Sequence, residues 1–591
     1  MENTIDSRLN VIKGRLPIVT GGLVLASVLM LLALARLQQL SPAVRQEFEL
    51  RSQNNTRSVL RLPAERGVIY DRDRVPLAFN ELQYEIGVSP NLVSEPERIA
   101  QELGLILNQD EFDIYSRITQ DLVWVQIDRG IPADAGQQIL DLDEISITIN
   151  PLSSRAYPQL SLAGPIIGFT NQSNDNNTVG VMGIEDSYNE ILAGRPLDQE
   201  VSTIPFDIPV TAESTNQRGR DIILTIDRDI QYYMEQELAL GVERYQADGG
   251  VIIVMNPRNG EILAMAQYPT FDPNNFGEIA LTDPDLLTNQ NISYVIEPGS
   301  VMKVITVAIG LETGAITPEW TYNDTGLLDI GGIQVVNWDR NAYGPMNARQ
   351  LLINSLNIGA TEVALTVADQ YGTETYYRIL QDFGFGSPTS IDLQGEEAGI
   401  LNVYGDSNWS EADFASSAYG QAIGVTPLQM ITAVAGIAND GLIYQPHLMR
   451  AIVDGDELRE ARPQVNRVIS SDVANIVTEM MIGVVEEGAT QALVPGYTVA
   501  GKTGTAQIAT PLGYELGVEG QTRTSFVGFF PADAPEVVVY IMLDRPRTNR
   551  FGSQTAAPLF STVAQRLALL LGIPTDDIRL SLQAQANATS N

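Results

Sequence analysis

Three lysines stand against 33 arginines among the 36 basic residues of this chain. Two of the three lie in runs able to do chemistry, Ser300-Val301-Met302-Lys303 and Lys502-Thr503-Gly504-Thr505. A guanidinium holds its proton, whereas an ammonium whose pKa is pulled down becomes a base. Lysine kept where arginine is the default cation therefore marks a place where a proton must move. With one histidine, His447, and no cysteine, a Ser-His-Asp triad has a single possible base and a cysteine nucleophile is excluded. A serine worked by lysine is what remains. Ser300 and Lys303, three apart in a helix opened by Pro298-Gly299, share a face and come within hydrogen-bonding reach. A neutral Lys303 near pH 7 requires its pKa to fall by about 3 units, roughly 4 kcal/mol, through burial, a second cation or both. Lys502 is the obvious second cation. Ser300 at a helix N-terminus also brings its own N–H to where an oxyanion could be held.

Ser355-Leu356-Asn357 sets a hydroxyl and an amide two residues apart, able to relay a proton and to hydrogen-bond a peptide carbonyl. Gly504 would let a substrate backbone approach closely, and Thr503 and Thr505 offer hydroxyls to a carboxylate. Singly, Ser-x-x-Lys and Ser-x-Asn are weak signals. The scarcity of lysine gives the first its weight.

These residues need a scaffold, and composition supplies its outline. At 591 residues and 44% hydrophobic, the chain has material for two or more domains, each with a core. The formal charge of −37 excludes a nucleic-acid partner, whose phosphates demand basic patches. Residues 16–35 carry no charge over a length that spans a bilayer's hydrocarbon core as a helix, with Arg8, Lys13 and Arg15 before them. The positive-inside rule then predicts a cytoplasmic tail (1–15), a transmembrane helix (16–37) and everything beyond on the outer side; a cleaved signal peptide is the competing reading. Residues 38–60 read as a juxtamembrane stretch, helical from Pro42. From 61 to 220 come short alternating runs such as 84–88 and 123–127, a β-rich zone with no catalytic constellation. From 221 to 572 a strand (222–226) and a helix (229–242) lead to a strand pair (250–255, 261–266) turned by Asn259-Gly260. A matching pair (525–530, 537–543) and a helix (558–571) follow, and the two pairs are expected to meet in one antiparallel sheet. The tail, 573–591, reads as polar and frayed.

In this order the three motifs resemble those of the penicillin-recognising serine acyltransferases. Glu297-Pro298-Gly299-Ser300, Val499 to Gln507 and Gly420 to Gln429 narrow the resemblance to class B penicillin-binding proteins. So do Arg66-Gly67-Val68-Ile69-Tyr70-Asp71-Arg72, Arg155-Ala156-Tyr157-Pro158 and Gly183-Ile184-Glu185 in the non-catalytic zone, which is similar to that family's pedestal, or dimerisation, domain. Asp73-Arg74 where many members have Asn-Gly, and Ile296 where an aromatic is common, are departures outside the catalytic set. The resemblance implies an α+β architecture of membrane helix, β-rich pedestal and a penicillin-binding transpeptidase domain built on a central antiparallel sheet flanked by helices. It implies a peptidoglycan D,D-transpeptidase with Ser300 as nucleophile, Lys303 as base, and Ser355 and Lys502 in proton return. Asn357, Thr503, Gly504 and Thr505 would bind the D-Ala-D-Ala stem peptide, with β-lactams as inhibitors and no metal or cofactor. Implied partners are a SEDS-type glycosyltransferase and other wall-synthesis membrane proteins at the bacterial plasma membrane. A D,D-carboxypeptidase or a β-lactam sensor on the same fold is the alternative.

Overall fold

A computed structural model describes residues 20–32, 57–62, 64–172, 178–195, 197–202, 218–510, 513–514 and 522–589. The chain divides into two compact units, residues 1–64 with 195–217, and residues 65–194 with 218–591. The described parts of the first are a helix over residues 20–32, its apolar side chains exposed, and an antiparallel pair, Arg57–Leu62 with Leu197–Ser202. Among the described residues no helix is long and apolar enough to cross a membrane. The rest of the expected span, the tail before it and the juxtamembrane helix from Pro42 lie outside the described residues.

In the second unit the catalytic half is built on five antiparallel strands: β1 (Gly249–Met255), β2 (Ile262–Tyr268), β3 (Ala500–Gln507), β4 (Thr522–Phe530) and β5 (Val537–Asp544), in the order β2-β1-β5-β4-β3. The two strand pairs meet as expected, β1 running against β5 from Gly249↔Asp544 to Met255↔Val538. Every residue of β1 and β5 is buried, because helices cover both faces. Successive side chains of a strand point to opposite faces. Val251, Ile253 and Met255 accordingly join the layer holding α2 (Met302–Glu312), α4 (Asn357–Tyr371) and α5 (Pro427–Ala438). Ile252 and Val254 join the layer holding α1 (Arg228–Tyr245) and α6 (Ala556–Leu570). The β1–β2 turn follows the sequence expectation, with Gly260 at φ 82°, where an added Cβ would meet the Gln445 carbonyl at 2.5 Å.

The strand Asp221–Leu224, expected to open the catalytic domain, pairs in parallel with Ile69–Tyr70 and antiparallel with Met449–Asp454. One seven-stranded sheet therefore draws on both halves of this unit. The pedestal motifs share a physical cause. Glu185, fully buried, accepts from Arg66 Nε at 2.6 Å and Arg155 Nε at 2.7 Å, and both arginines are 2% exposed. Arg66 also reaches the Glu185 carbonyl (2.7 Å) and Asn189 Oδ1 (2.8 Å), while Asn80 bridges the Arg66 carbonyl and Arg155.

The expected frayed tail is instead a helix, α7 (Asp576–Thr589). Its first turn is tied down: Asp576 accepts from the Thr498 N–H at 2.6 Å, and Arg579 bridges Asp533 (2.5 Å) and Asp576 (2.7 Å). Thr498, at the entry to β3, lies 78 residues before Asp576, and Asp533, in the β4–β5 turn, lies 46 before Arg579, non-local anchors invisible in local polarity.

Candidate active site

Ser300 sits in a single 3-10 turn, Gly299–Val301, that runs straight into α2. What holds that turn is the segment Gly420–Thr426. Gly299, at φ 57°, donates its N–H to the Gly420 carbonyl (3.0 Å), and a Cβ on Gly420 (φ 86°) would lie 2.1 Å from the Gly299 carbonyl oxygen. Only glycine at 420 tolerates this approach. Glu297 Oε1 accepts from the Ala422 N–H (2.9 Å), and Ile296 and Val425 exchange backbone bonds of 2.9 and 2.8 Å. Thr426 and Gln429 then form a capping box that starts α5, and Gln429 Nε2 donates to the carbonyls of Ser387 and Ala398. Sequence reading quoted this run for its resemblance alone; its positive-φ glycine beside the nucleophile turn is the feature it missed.

Lys303 is fully buried on α2, and Lys502 is 1% exposed on β3. Both reach Ser355. Lys303 Nζ donates to the Ser355 carbonyl at 2.6 Å and lies 3.2 Å from its Oγ; Lys502 Nζ donates to that Oγ at 3.1 Å and to the Thr503 carbonyl at 3.1 Å. Among the described residues neither lysine has an ion pair, and Ser300 Oγ has no hydrogen bond. The expected Ser300–Lys303 bond is thus replaced by Lys303–Ser355. The reason lies in α3 (Ala348–Asn354), which ends on Ser355 in the left-handed region (φ 54°), a conformation uncommon without glycine. That turn aims both the carbonyl and the hydroxyl of Ser355 at the lysines.

Burial pulls the Lys303 ammonium well below the usual lysine range, and the Lys502 charge pulls it further. Burial alone brings Lys502 down to about 7. Both shifts run the same way, toward the neutral amine. Near neutrality Lys303 is favoured as an amine with a lone pair, and the Ser355 hydroxyl lies between it and Lys502.

Asn357 opens α4, its Nδ2 fixed on the Val336 carbonyl (2.8 Å) and its N–H on Asn337 Oδ1 (3.0 Å). Asn337, 1% exposed, is in turn held by both oxygens of buried Asp324 at 3.0 Å. This support was not foreseen, because it needs the strand pairing of Leu327–Ile330 with Ile333–Val336. With its amide nitrogen engaged, Asn357 keeps Oδ1 for a ligand N–H. Thr503 and Thr505 lie half-buried on one face of β3, the edge strand, and Thr505 Oγ1 accepts from the Gly552 N–H (3.1 Å). Gly504 lies on the other face. A Cβ there would meet Ser525 Oγ at 2.2 Å and Val301 at 2.9 Å, so its bareness admits the turn that carries Ser300. His447 takes no part; its Nδ1 lies 3.3 Å from the Gln445 carbonyl.

The description of the penicillin-binding-protein transpeptidase domain matches residues 250–565, and that of the penicillin-binding-protein dimerisation domain matches residues 61–224. The chain belongs to the class B penicillin-binding proteins. Stage V sporulation protein D of Bacillus subtilis is 32% identical over 541 residues, covering 89% of this chain and 81% of that protein. The peptidoglycan D,D-transpeptidase FtsI of Buchnera aphidicola is 29% identical over 525 residues, covering 87% and 88%. Among solved structures, penicillin-binding protein 3 of Mycobacterium tuberculosis complexed with aztreonam superposes with a TM-score of 0.67 at 28% identity, covering 87% of this chain and 98% of that one. The family's two-domain fold thus accounts for the pedestal motifs and the lysine-served serine together.

Proposed function

We propose that this class B penicillin-binding protein is a peptidoglycan D,D-transpeptidase that cross-links stem peptides through an acyl-enzyme on Ser300 and is acylated there by β-lactams. The observation that carries it is the pair of buried lysines converging on Ser355 behind the Ser300 turn, with no carboxylate among the described residues paired to either. Ser300 Oγ attacks the carbonyl of the penultimate D-Ala, and its proton passes to Lys303. The tetrahedral oxyanion sits on the N–H groups of Ser300 and Thr505, whose chain segments touch: a Cβ on Gly299 would lie 3.1 Å from the Thr505 carbonyl oxygen. Asn357 Oδ1 accepts the substrate amide N–H, and Thr503 and Thr505 bind the terminal carboxylate beside Lys502. The C–N bond breaks, and the leaving D-Ala nitrogen takes a proton delivered through Ser355 and Lys502. An amine of a neighbouring stem peptide then attacks the ester, loses a proton to the same relay and frees Ser300.

In this reading residues 16–37 anchor the chain once in the bacterial plasma membrane, N-terminus inside. The pedestal (61–220) carries the transpeptidase domain (221–572) on the outer side, with a SEDS-type glycosyltransferase as partner. The uncharged run of residues 16–35 after three basic residues supports the anchor.

Incubation of the full chain in detergent with fluorescent penicillin, beside Ser300→Ala, tests the reading. Long-lived labelling lost in the variant is the expected result. Labelling that survives Ser300→Ala removes Ser300 from the chemistry, and rapid decay of the label makes the protein a hydrolase.

A further inference from the structure

A cavity of about 260 Å³ opens on the catalytic half between the end of α5, the segment Phe383–Ser390 and the strand pair Leu442–Tyr444 with Val465–Arg467. None of the residues assigned above to the Ser300 chemistry lines it. Its wall carries a signature of a ligand. Thr432, on α5, is 5% exposed, and its hydroxyl is buried without a hydrogen-bond partner among the described residues. A buried orphan hydroxyl is destabilising unless something satisfies it. At the rim stand the half-buried Tyr444 hydroxyl and the exposed side-chain amides of Gln381, Gln464 and Asn466, which have no protein partner among the described residues and are open to a ligand. Asp382 is the one charged lining residue, and Arg378 already engages it at 3.1 Å. Phe383, Pro388, Ile443 and Pro446 supply apolar floor.

This chemistry selects against most ligands. Among the described residues the lining holds no cation for a phosphate or carboxylate, and no free carboxylate for an ammonium. Amides and hydroxyls that both donate and accept, set over an apolar surface, match a neutral pyranose with its hydroxyls at the rim and its C–H face below. We propose that the cavity is a binding site for a neutral amino sugar carrying an N-acetyl group, as found in a glycan strand. The inference rests on the proposed function only for that choice of sugar. One wall connects to the nucleophile: Gln429, which also lines the cavity, accepts from the Thr426 N–H (2.9 Å), one residue beyond the Val425–Ile296 bridge that leads to Ser300.

Calorimetric titration of the full chain in detergent with the linear tetramer of N-acetylglucosamine tests the site. Saturable one-to-one binding is expected, with the same affinity after penicillin has acylated Ser300. Thr432→Val, which keeps the shape and removes the hydroxyl, should weaken binding about fivefold. Gln464→Ala with Asn466→Ala should weaken it further, and both variants should react with penicillin at the wild-type rate, which certifies their fold. Absence of saturable binding, an affinity untouched in both variants, competition by acylation, or equal displacement by an uncharged tripeptide amide would each overturn the proposal. Because penicillin labelling is read separately, failure of the sugar site leaves the Ser300 reading standing, and the reverse.

Discussion

Two buried clusters of positive charge in this protein have opposite outcomes. In the pedestal, Arg66 and Arg155 converge on Glu185, and every charged member has a counter-ion at 2.6 or 2.7 Å. In the active site, Lys303 and Lys502 converge on a hydroxyl and two backbone carbonyls, which accept hydrogen bonds but neutralise nothing. Burial penalises charge in both places. The pedestal offsets it by pairing charge on arginine, which does not yield its proton, so the cluster can only be structural. Among the described residues the active site leaves it unpaired on lysine, which yields, so in the proposed mechanism the cluster serves as a base and a proton donor. Choice of cation and omission of a carboxylate separate a brace from a catalyst.

Removing one member from each cluster should expose the difference. Lys303→Met leaves the Ser355 carbonyl unbonded but removes a buried amine, so the fold should survive while penicillin acylation falls by on the order of 10³-fold, the worth of a general base. Stopped-flow labelling with a thermal melt on the same sample checks both halves. A fast-reacting Lys303→Met would mean that another group takes the proton. Glu185→Gln should do the reverse. It strands two buried guanidiniums, and breaking such a pair costs about 3–5 kcal/mol, enough to lower the melting temperature by many degrees. Acylation by the molecules still folded should keep the wild-type rate constant. A slowed rate constant would show that the pedestal brace reaches the active site.

The same contrast explains what the sequence could and could not disclose. The convergence of Lys303 and Lys502 was legible because lysine is rare here, a compositional signal that survives without a structure. The five-stranded sheet was legible because β1, β2, β4 and β5 are local apolar runs with turn residues between them. The carbonyl role of Ser355 was not, since it depends on a left-handed turn at the end of α3. The packing role of Gly504 was hidden for a related reason: a bare Cα announces a close approach but not of what, and Ser525 and Val301 are distant in sequence. The three pedestal motifs were recognisable one by one. Their union on Glu185 spans 119 residues from Arg66 and 30 from Arg155, separations that no periodicity encodes. Residues 576–589 show the same limit, reading as frayed where the distant Asp533 carboxylate and Thr498 N–H pin them into a helix.

The smallest expected effect is the most diagnostic, because it reads the unpaired charge as stability. Lys502 has a folded pKa of about 7 against about 10.4 in an unfolded chain. As pH falls from about 10 to 7 the unfolded state takes up a proton that the folded state refuses, so stability drops by up to about 1.4 kcal/mol per pH unit and then levels off below 7. Stability thus rises with pH across this window, the opposite sign to a lysine that gains a carboxylate partner on folding. Lys502→Met removes the refused proton. At pH 7 it should gain on the order of 4 kcal/mol from that source and lose about half of it through the bonds to Ser355 Oγ and the Thr503 carbonyl. The variant should therefore be more stable than wild type at pH 7, less so at pH 10, and slow to acylate at both. Urea midpoints of wild type and variant at pH 7, 8.5 and 10 measure the crossing. Parallel curves would mean that Lys502 keeps its proton in the fold, and the active site would then be a second brace like the pedestal's, its counter-charge supplied by something other than a carboxylate at Lys303 or Lys502.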